Sequence, residues 1–212
     1  MQESANVSEK VAGLLLGIAA IRIDTEEPFT WASGWKSPIY CDNRLTLSYP
    51  SIRSYIRDEL SILVKEKFDG TEAIAGVATA GIPQGVLVAD CLGLPFMYVR
   101  SKAKDHGLTN RIEGKITRGQ KVVVIEDLVS TGGSSMNAIE ALQHSGVEVL
   151  GMASIFSYGF KKAEDLFRGK GISTHSLSNY DTLIDVALKE NYVKAAEVDQ
   201  LKLWRIDPAH WG

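Results

Sequence analysis

With 212 residues and a net charge of −3, the chain has the size of one domain and lacks the positive charge of a general nucleic-acid or membrane-surface binder. Its residues are 45% hydrophobic and 23% charged, which is typical of a globular protein with a sizeable core. The two cysteines, Cys41 and Cys91, lie far apart and match no metal-ligand spacing, so we expect reduced thiols in a cytoplasmic protein rather than a disulfide framework.

The most apolar stretch of the sequence lies at residues 11–21 (VAGLLLGIAAI). It is shorter than the roughly 20 residues that span a bilayer, and the acidic residues before it are unlike the positive flank of a secretory signal. We therefore predict neither a membrane span nor a leader. The stretch is expected to form a buried helix that Asn6 or Ser8 caps and that ends near Ile23.

Two different patterns follow this helix. β-Forming residues flank Ser33 and Gly34 within residues 28–43, which indicates a hairpin. Pro50 is then expected to begin a helix that ends near Phe68. The apolar residues of that helix recur at helical spacing: Ile52, Ile56, Leu60 and Leu63.

From residue 73 onwards, short apolar segments alternate with helical ones. Because strands without polar alternation are buried on both faces, this order indicates an α/β fold with a doubly wound parallel sheet, preceded by the N-terminal helix and hairpin. Strands are predicted at residues 73–78, 95–100, 121–125, 147–156 and 172–177, and helices at 82–92, 133–144 and 161–167, with two more helical stretches after the last strand.

Ligands of such sheets bind at the carboxyl ends of the strands, which directs attention to the segment after residues 121–125. Glu126 and Asp127 come first and offer carboxylate oxygens to sugar hydroxyls or to a hydrated Mg²⁺. Small, hydroxyl-bearing and glycine residues at 130–134 then lead into a helix, whose free N–H groups and dipole favour a phosphate. Together these features indicate a site for ribose 5-phosphate.

A plain turn with a helix cap is the competing interpretation of residues 130–134. The acidic pair argues against it, because two adjacent carboxylates at the end of a buried strand are costly without a partner. We therefore expect a ligand at this strand end.

The segment VVVIEDLVSTGGSS at residues 122–135 resembles the signature with which type I phosphoribosyltransferases bind phosphoribosyl pyrophosphate (PRPP). The resemblance implies that Glu126 and Asp127 hold the ribose hydroxyls, that Asp127 also acts in catalysis, and that the following loop wraps the 5′-phosphate. The PRPP-binding residues implied in this segment are Glu126, Asp127, Leu128, Val129, Ser130, Thr131, Gly132, Gly133 and Ser134.

A second charged segment follows the strand at residues 95–100. Six Lys or Arg and two Asp or Glu lie between residues 100 and 118, and a solvated surface accounts for part of this excess. Arg100, Lys104 and His106 need another explanation, because they leave a strand end and enter a glycine-containing loop where a closing lid is expected. Cations at that place suit a pyrophosphate leaving group.

Two stretches are similar to orotate phosphoribosyltransferases in particular. RSKAKDHG at residues 100–107 resembles the mobile catalytic loop of that family, and PFTWASGWKSPIYCDNR at 28–44 resembles its hood, which closes over the base. The resemblance implies one phosphoribosyltransferase domain over residues 1–212, with the hood at approximately 1–48 and the PRPP-binding core at approximately 49–212. It also implies transfer of the phosphoribosyl group from PRPP to orotate in de novo pyrimidine biosynthesis.

The resemblance further implies how the site is completed. Lys104 would be catalytic, Arg100 and His106 would bind PRPP together with it, and Ser130 and Lys36 would contact orotate. Magnesium would be bound mainly through PRPP or pyrophosphate, without a metal site made by the protein. The family also implies a homodimer in which each mobile loop reaches the partner's active site, with no nucleic-acid or membrane partner.

The chain departs from the enteric branch of that family in several places, which include Ala80 and Ser101, where that branch has lysines associated with pyrophosphate. That branch has a lysine where this chain has Ala32, and Lys36 could supply the charge from four residues away. An arginine near residues 157–159 is also without an evident counterpart here. The roles of Trp31 and Trp35 stay open between lining the base pocket and packing the hood or the dimer interface.

Two other functions share the PRPP signature. A purine phosphoribosyltransferase would use another base, and a non-catalytic PRPP-sensing regulator would bind PRPP without releasing pyrophosphate. The segment GVATAG at residues 76–81 resembles the family's pyrophosphate loop and leads to one structural hypothesis, a cis peptide bond between Ala78 and Thr79.

Overall fold

The computed structural model describes residues 2–31, 34–101 and 111–211. In chain order its elements are α1 (Gln2–Gly17), β1 (Ile21–Ile23), β2 (Phe29–Thr30), β3 (Lys36–Ser37), β4 (Ile39–Cys41), a 3-10 helix (Asn43–Ser48), α2 (Pro50–Lys67), β5 (Ala73–Val77), α3 (Gly81–Leu92), β6 (Phe96–Val99), β7 (Ile112–Glu113), β8 (Lys121–Val129), α4 (Gly133–His144), β9 (Glu148–Ser157), α5 (Lys161–Gly169), β10 (Thr174–Asn179), α6 (Tyr180–Lys189) and α7 (Ala195–Ile206).

The centre of the fold is a six-stranded sheet with the order β10-β9-β8-β5-β6-β7. Its neighbouring strands run parallel except at one edge, where β7 lies antiparallel to β6. The predicted α/β fold with a parallel sheet is therefore confirmed. β7 was not predicted, because a strand of two residues is too short to show a periodic pattern.

Both faces of the sheet are covered, which explains the continuous apolar run in β8. Val123 and Ile125 point into a core shared with α1, α2 and α6, whereas Val122 and Val124 point into a second core shared with α4 and α5. Side chains alternate across a strand, so a strand between two cores must be apolar at every position.

The N-terminal helix is buried as predicted, and Val11, Ala12 and Leu15 are fully inaccessible. Its predicted ends were wrong. It begins at Gln2, Ser8 uses its side chain for contacts with Ser178 and Thr182 rather than as a cap, and the helix stops at Gly17. No helix in the described part of the chain is long and apolar enough to cross a membrane.

The apolar residues that follow α1 form a strand instead of a further helical turn. Ile21–Ile23 pair antiparallel with β4, and Ala19 takes a left-handed conformation with φ 55° at the change of direction. Pairing with β4 stabilises an extended backbone here, so tertiary contact overrides the helical tendency of the sequence. The division into a hood at residues 1–48 and a core at 49–212 remains a prediction.

The predicted hairpin is present as β2 and β3, which pair antiparallel. Trp31, which directly follows β2 at the turn of the hairpin, lies in an aromatic cluster with Tyr158 and Trp204, with ring centroids 5.2 and 5.7 Å away. Trp204 also donates its indole N–H to the carbonyl oxygen of Lys36 at 3.1 Å. Trp31 therefore packs the N-terminal segment onto the C-terminal helices.

The other predicted elements are found within a few residues of their expected ends. The difference that matters for the site is the end of β8, which was expected at Ile125 and lies at Val129. The backbone stays paired with β9 as far as Val129 and Ser157, although the side chains become polar. Glu126 and Asp127 are thus held in a strand rather than in a loop.

Candidate active site

Glu126 is the most deeply placed of the acidic residues predicted to bind a ligand. Its side chain is only 6% exposed, and its Oε2 accepts a hydrogen bond of 3.0 Å from the Ser135 hydroxyl in the first turn of α4. Its Oε1 accepts one of 3.1 Å from the backbone N–H of Asp127. Burial, followed by the negative charge of Asp127, raises the pKa of the Glu126 carboxyl well above its usual value.

Asp127 is half-buried beside it and faces the N-terminal segment. Its carbonyl oxygen accepts a hydrogen bond of 2.8 Å from the Asn43 side-chain amide. Burial raises the pKa of Asp127, while hydrogen bonds from Glu126 and from the backbone oppose that rise. The two carboxyls therefore form a pair whose negative charge is incompletely compensated, which suits a site that receives positive charge from a ligand.

A close approach of α3 explains why Gly81 stands at the start of that helix. A Cβ atom at this position would lie 2.5 Å from the carbonyl oxygen of Ile125 and 3.4 Å from Oε1 of Glu126. The segment just before it contains the cis peptide bond between Ala78 and Thr79, as hypothesised. Glycine thus lets the predicted pyrophosphate loop lie directly against the acidic pair.

The turn after β8 has the form expected of a phosphate site. Gly132 has φ 77°, and a Cβ atom there would lie 2.8 Å from the ring of Phe167. α4 begins at Gly133, and both Gly133 and Ser134 are exposed. The first N–H groups of a helix lack intrahelical partners, so this exposed start offers them to an anion.

Arg100 lies beside the predicted pyrophosphate loop of its own chain. A cavity of about 110 Å³ is lined by Ala78, Arg100, Arg111 and Ser134, among others. Nη1 of Arg100 is buried and has no hydrogen-bond partner among the described residues, and it forms an ion pair of 3.6 Å with Oε1 of Glu113. A guanidinium with spare donor capacity next to a helix start is suited to phosphate oxygens.

Lys104 and His106, the other two predicted cations, lie outside the described residues. The two ends of their segment are described and are held together. The N–H of Arg100 donates to the carbonyl oxygen of Arg111 at 2.8 Å, and Nε of Arg111 donates back to that of Arg100 at 3.1 Å. The described residues on either side of 102–110 therefore lie close together beside the small cavity.

The predicted orotate residues differ in their placement. Ser130 follows directly on β8 and is half-buried in the turn before α4. Lys36 is exposed in β3, where its Nζ donates to the Thr30 hydroxyl at 2.8 Å. The contacts of Lys36 and Ser130 with orotate remain predictions.

A larger cavity of about 400 Å³ lies at the carboxyl ends of β9 and β10, and Val129 at the end of β8 borders it. Arg205 of α7 also lines it, donates to the carbonyl oxygen of Gly159 at 3.4 Å, and pairs with Asp181. The sequence left the turn at residues 157–159 without a cation. The structure brings one there from a distant helix.

Sequence reasoning missed two residues that touch the acidic pair. Ser135 carried a weak signal, because it ends the matched signature and its place in the first turn of a helix points its hydroxyl towards the preceding strand. Asn43 carried none, since an asparagine after a short strand is typical of a turn. Its contact with Asp127 spans 84 positions of the sequence.

The raised pKa of Glu126 leads to a test of stability against pH. In the unfolded chain this carboxyl ionises near its usual value, whereas in the folded protein it ionises only at higher pH. The free energy of unfolding therefore falls as the pH rises from the pKa of the unfolded chain through that of the folded protein. We expect Glu126→Gln to raise the melting temperature of the unliganded protein by roughly 3 °C at pH 8 and by less at pH 5.

Differential scanning calorimetry of both proteins at the two pH values would check this result. Glu164→Gln on the surface of α5 is the matched control and should change the melting temperature equally little at both. An equal or lower melting temperature of Glu126→Gln at pH 8 would contradict the inferred cost of the buried carboxyl.

Comparisons with known proteins bear on this geometry. Residues 50–191 match the family described as phosphoribosyl transferase domain. Orotate phosphoribosyltransferase of Cytophaga hutchinsonii is 59% identical over 97% of this chain and 99% of that protein. The corresponding protein of Bacteroides fragilis is 54% identical over 97% of each. The crystal structure of orotate phosphoribosyltransferase from Aeropyrum pernix superimposes with a TM-score of 0.75 at 29% identity, covering 87% of this chain and 99% of that one.

Proposed function

Because the chain belongs to the phosphoribosyltransferase family, and within it to the orotate phosphoribosyltransferases, we propose that the acidic pair and the turn after β8 form its PRPP site. The enzyme transfers the 5-phosphoribosyl group from PRPP to orotate and yields orotidine 5′-monophosphate and pyrophosphate in pyrimidine biosynthesis. Relatives of this kind over nearly the whole chain leave the purine enzyme and the PRPP-sensing regulator without support.

One observation carries the assignment of the site. A buried carboxyl at 126 and a half-buried one at 127 are followed within a few residues by an exposed helix start at Gly133. The carboxyls accept hydrogen bonds from ribose hydroxyls, and the turn at 130–134 donates backbone N–H groups to the 5′-phosphate. A single strand-turn-helix unit thus binds both ends of one ribose 5-phosphate.

The same arrangement accounts for catalysis. The bond between C1 and pyrophosphate lengthens first, and positive charge develops on the ribose as it does in glycoside cleavage. Asp127 and Glu126 lie in a poorly hydrated place where their negative charge is incompletely compensated. They therefore stabilise the charged ribose more than the neutral one, which lowers the barrier. Orotate N1 then bonds to C1 as pyrophosphate leaves with the electron pair of the broken C1–oxygen bond, and the N1 proton passes to pyrophosphate or solvent.

Cations are proposed to hold the departing pyrophosphate. The role of Arg100 is supported by its Nη1, which lacks a hydrogen-bond partner among the described residues, and by its position at the small cavity beside Ala78. Lys104 and His106 come next in the same stretch of sequence and are proposed to act together with Arg100. Lys104 is proposed as the catalytic cation. A closed segment would also keep water from the reactive C1 atom.

Magnesium is proposed as the cofactor, bound mainly through PRPP and pyrophosphate. Oxygen ligands suit this ion, and the carboxylates at 126 and 127 are the protein oxygens that fit it through ribose hydroxyls or water. When bound, the ion would neutralise part of the charge of the pyrophosphate. Asp127 and Glu126 orient the ribose hydroxyls whether or not the ion is bound.

Orotate is proposed to contact Ser130 and Lys36. Ser130 lies at the end of β8, next to the expected position of C1. Lys36 belongs to the hairpin that Trp31 packs onto the core, and its exposed ammonium could leave Thr30 for the orotate carboxylate. We further propose a cytoplasmic homodimer in which residues 102–110 of one subunit complete the site of the other.

The first experiment follows the loss of orotate absorbance with PRPP and Mg²⁺. We expect consumption that requires both, at a rate of about 1–10³ turnovers per second, with one pyrophosphate released per orotate. Adenine, hypoxanthine and uracil in place of orotate should release none. Pyrophosphate release with a purine base but not with orotate, or PRPP binding without turnover, would contradict the assignment.

A further inference from the structure

Asn43 is a polar residue outside the PRPP motif whose burial calls for an explanation. It is fully inaccessible at the start of the 3-10 helix, and its side-chain amide donates to the carbonyl oxygen of Asp127 at 2.8 Å. A buried polar side chain is retained at a cost unless its hydrogen bonds serve the fold or the site. This one reaches the backbone of the residue proposed to act in catalysis.

The end of β5 shows why that backbone needs a partner. β5 pairs with β8 as far as Gly76 and Ile125, and then β5 ends at Val77. Asp127 lies two residues farther along β8, where the described part of the chain provides no neighbouring strand on that side. The amide of Asn43 supplies the hydrogen bond that the sheet would otherwise provide, and it thereby holds β8 extended at Asp127.

The amide is itself held in one orientation. The Cys41 thiol donates to Oδ1 of Asn43 at 3.3 Å, which leaves Nδ2 to face Asp127. Burial, with the nearby charge of Asp127, raises the pKa of this thiol well above its usual value, so it stays protonated and able to donate. The carbonyl oxygen of Asn43 accepts from the Thr46 hydroxyl at 2.6 Å.

The same network reaches the helix after the predicted pyrophosphate loop. Nε2 of Gln84 in α3 donates to the Thr46 hydroxyl at 3.2 Å, and both side chains are buried. Three parts of the site therefore share one set of hydrogen bonds: α3, the 3-10 helix and the end of β8. Connected polar groups of this kind hold their members in a defined arrangement.

We propose that Asn43 is a positioning residue of the transfer reaction, which through its amide holds Asp127 where the developing charge of the ribose requires it. The inference rests on the proposed function of Asp127. Asn43 touches neither substrate in this account and acts through the backbone. A displacement of a catalytic group by about 1 Å can cost about 100-fold in rate, so one hydrogen bond at this place has a large effect on turnover.

Two substitutions test the role of the amide. Asn43→Asp keeps the shape of the side chain and replaces the donor by an oxygen that faces a carbonyl oxygen. In Asn43→Ser the side chain is smaller, so it fits the buried space, but its hydroxyl cannot reach the carbonyl oxygen of Asp127. We expect both variants to lower kcat at saturating PRPP and orotate about 30-fold or more, with a change in KM for PRPP of about threefold or less.

Ser178→Ala is the matched control, because Ser178 is also fully buried and ties α1 to the core by a hydrogen bond of 2.9 Å to the carbonyl oxygen of Ser8. Ser178→Ala should lower the melting temperature about as much as Asn43→Ser does, and its kcat should equal that of wild type. Equal losses of kcat in both, or a kcat of Asn43→Ser within threefold of wild type, would overturn the inference. Failure of the wild type to consume orotate would instead overturn the proposed function.

Discussion

Asp127→Asn is expected to lower kcat for orotidine 5′-monophosphate formation about 10²- to 10³-fold without lowering the melting temperature. The substitution keeps the shape of the side chain and the hydrogen bond from Asn43, which reaches the backbone. It removes the negative charge that would stabilise the charged ribose. Because burial makes that charge costly in the unliganded protein, its loss should leave stability unchanged or higher.

Initial rates at saturating substrates, together with a thermal melt, would measure both effects. Asp199→Asn on the exposed surface of α7 is the matched control and should alter neither. A kcat of Asp127→Asn within about fivefold of wild type would show that the carboxylate does not stabilise the transition state. A large loss of stability would show instead that the charge is compensated within the fold.

Lys104→Ala is expected to have a comparable effect, a fall in kcat/KM for PRPP of about 10²- to 10³-fold. The expected cause is the loss of a cation from the departing pyrophosphate. Lys104 lies outside the described residues, but Arg100 and Arg111, which flank its segment, line the small cavity. Steady-state kinetics with varied PRPP would measure the effect.

Lys115→Ala is the control for this variant, because Lys115 belongs to the same basic stretch and is exposed. Its kcat/KM should stay close to wild type. If Lys104→Ala behaves like Lys115→Ala, the basic stretch is a solvated surface and the catalytic role of Lys104 is wrong.

The two variants together test whether the segment is shared between subunits. Mixed and re-equilibrated, Asp127→Asn and Lys104→Ala subunits of a sharing dimer would form some sites with both residues intact. Random pairing would restore about a quarter of the wild-type activity, because half of the dimers are mixed and each has one competent site. No recovery in a mixture shown to exchange subunits would favour an intrachain site, which the placement of Arg100 beside its own Ala78 would allow.

The parallel sheet could be predicted because its signals are local. In β8, residues 122–125 are apolar at every position, since alternate side chains enter two different cores. The PRPP motif could likewise be recognised, because the carboxyls, the turn and the helix start are contiguous. Helices α2 and α4 were predicted nearly to the residue for the same reason, with Pro50 and Gly133 marking where they begin.

Predictions at the N-terminus were wrong where local preference and distant contact disagree. Residues 18–23 continue the apolar run of α1, and in isolation they would extend the helix. Pairing with β4 makes Ile21–Ile23 a strand, and this competition cannot be read from a sequence window. The end of β8 was misplaced in a related way, because its pairing with β9 continues under polar side chains.

The sequence by itself determined the order of the main strands and helices from β5 onwards, the acidic pair and the turn at 130–134, because each depends on residues that are neighbours in the chain. Only the tertiary structure decided the state of that pair. Burial raises the pKa of Glu126, and the amide that holds Asp127 comes from Asn43, 84 positions earlier. Desolvation and hydrogen bonds between distant residues exist only once the chain has folded, so no local pattern reports them.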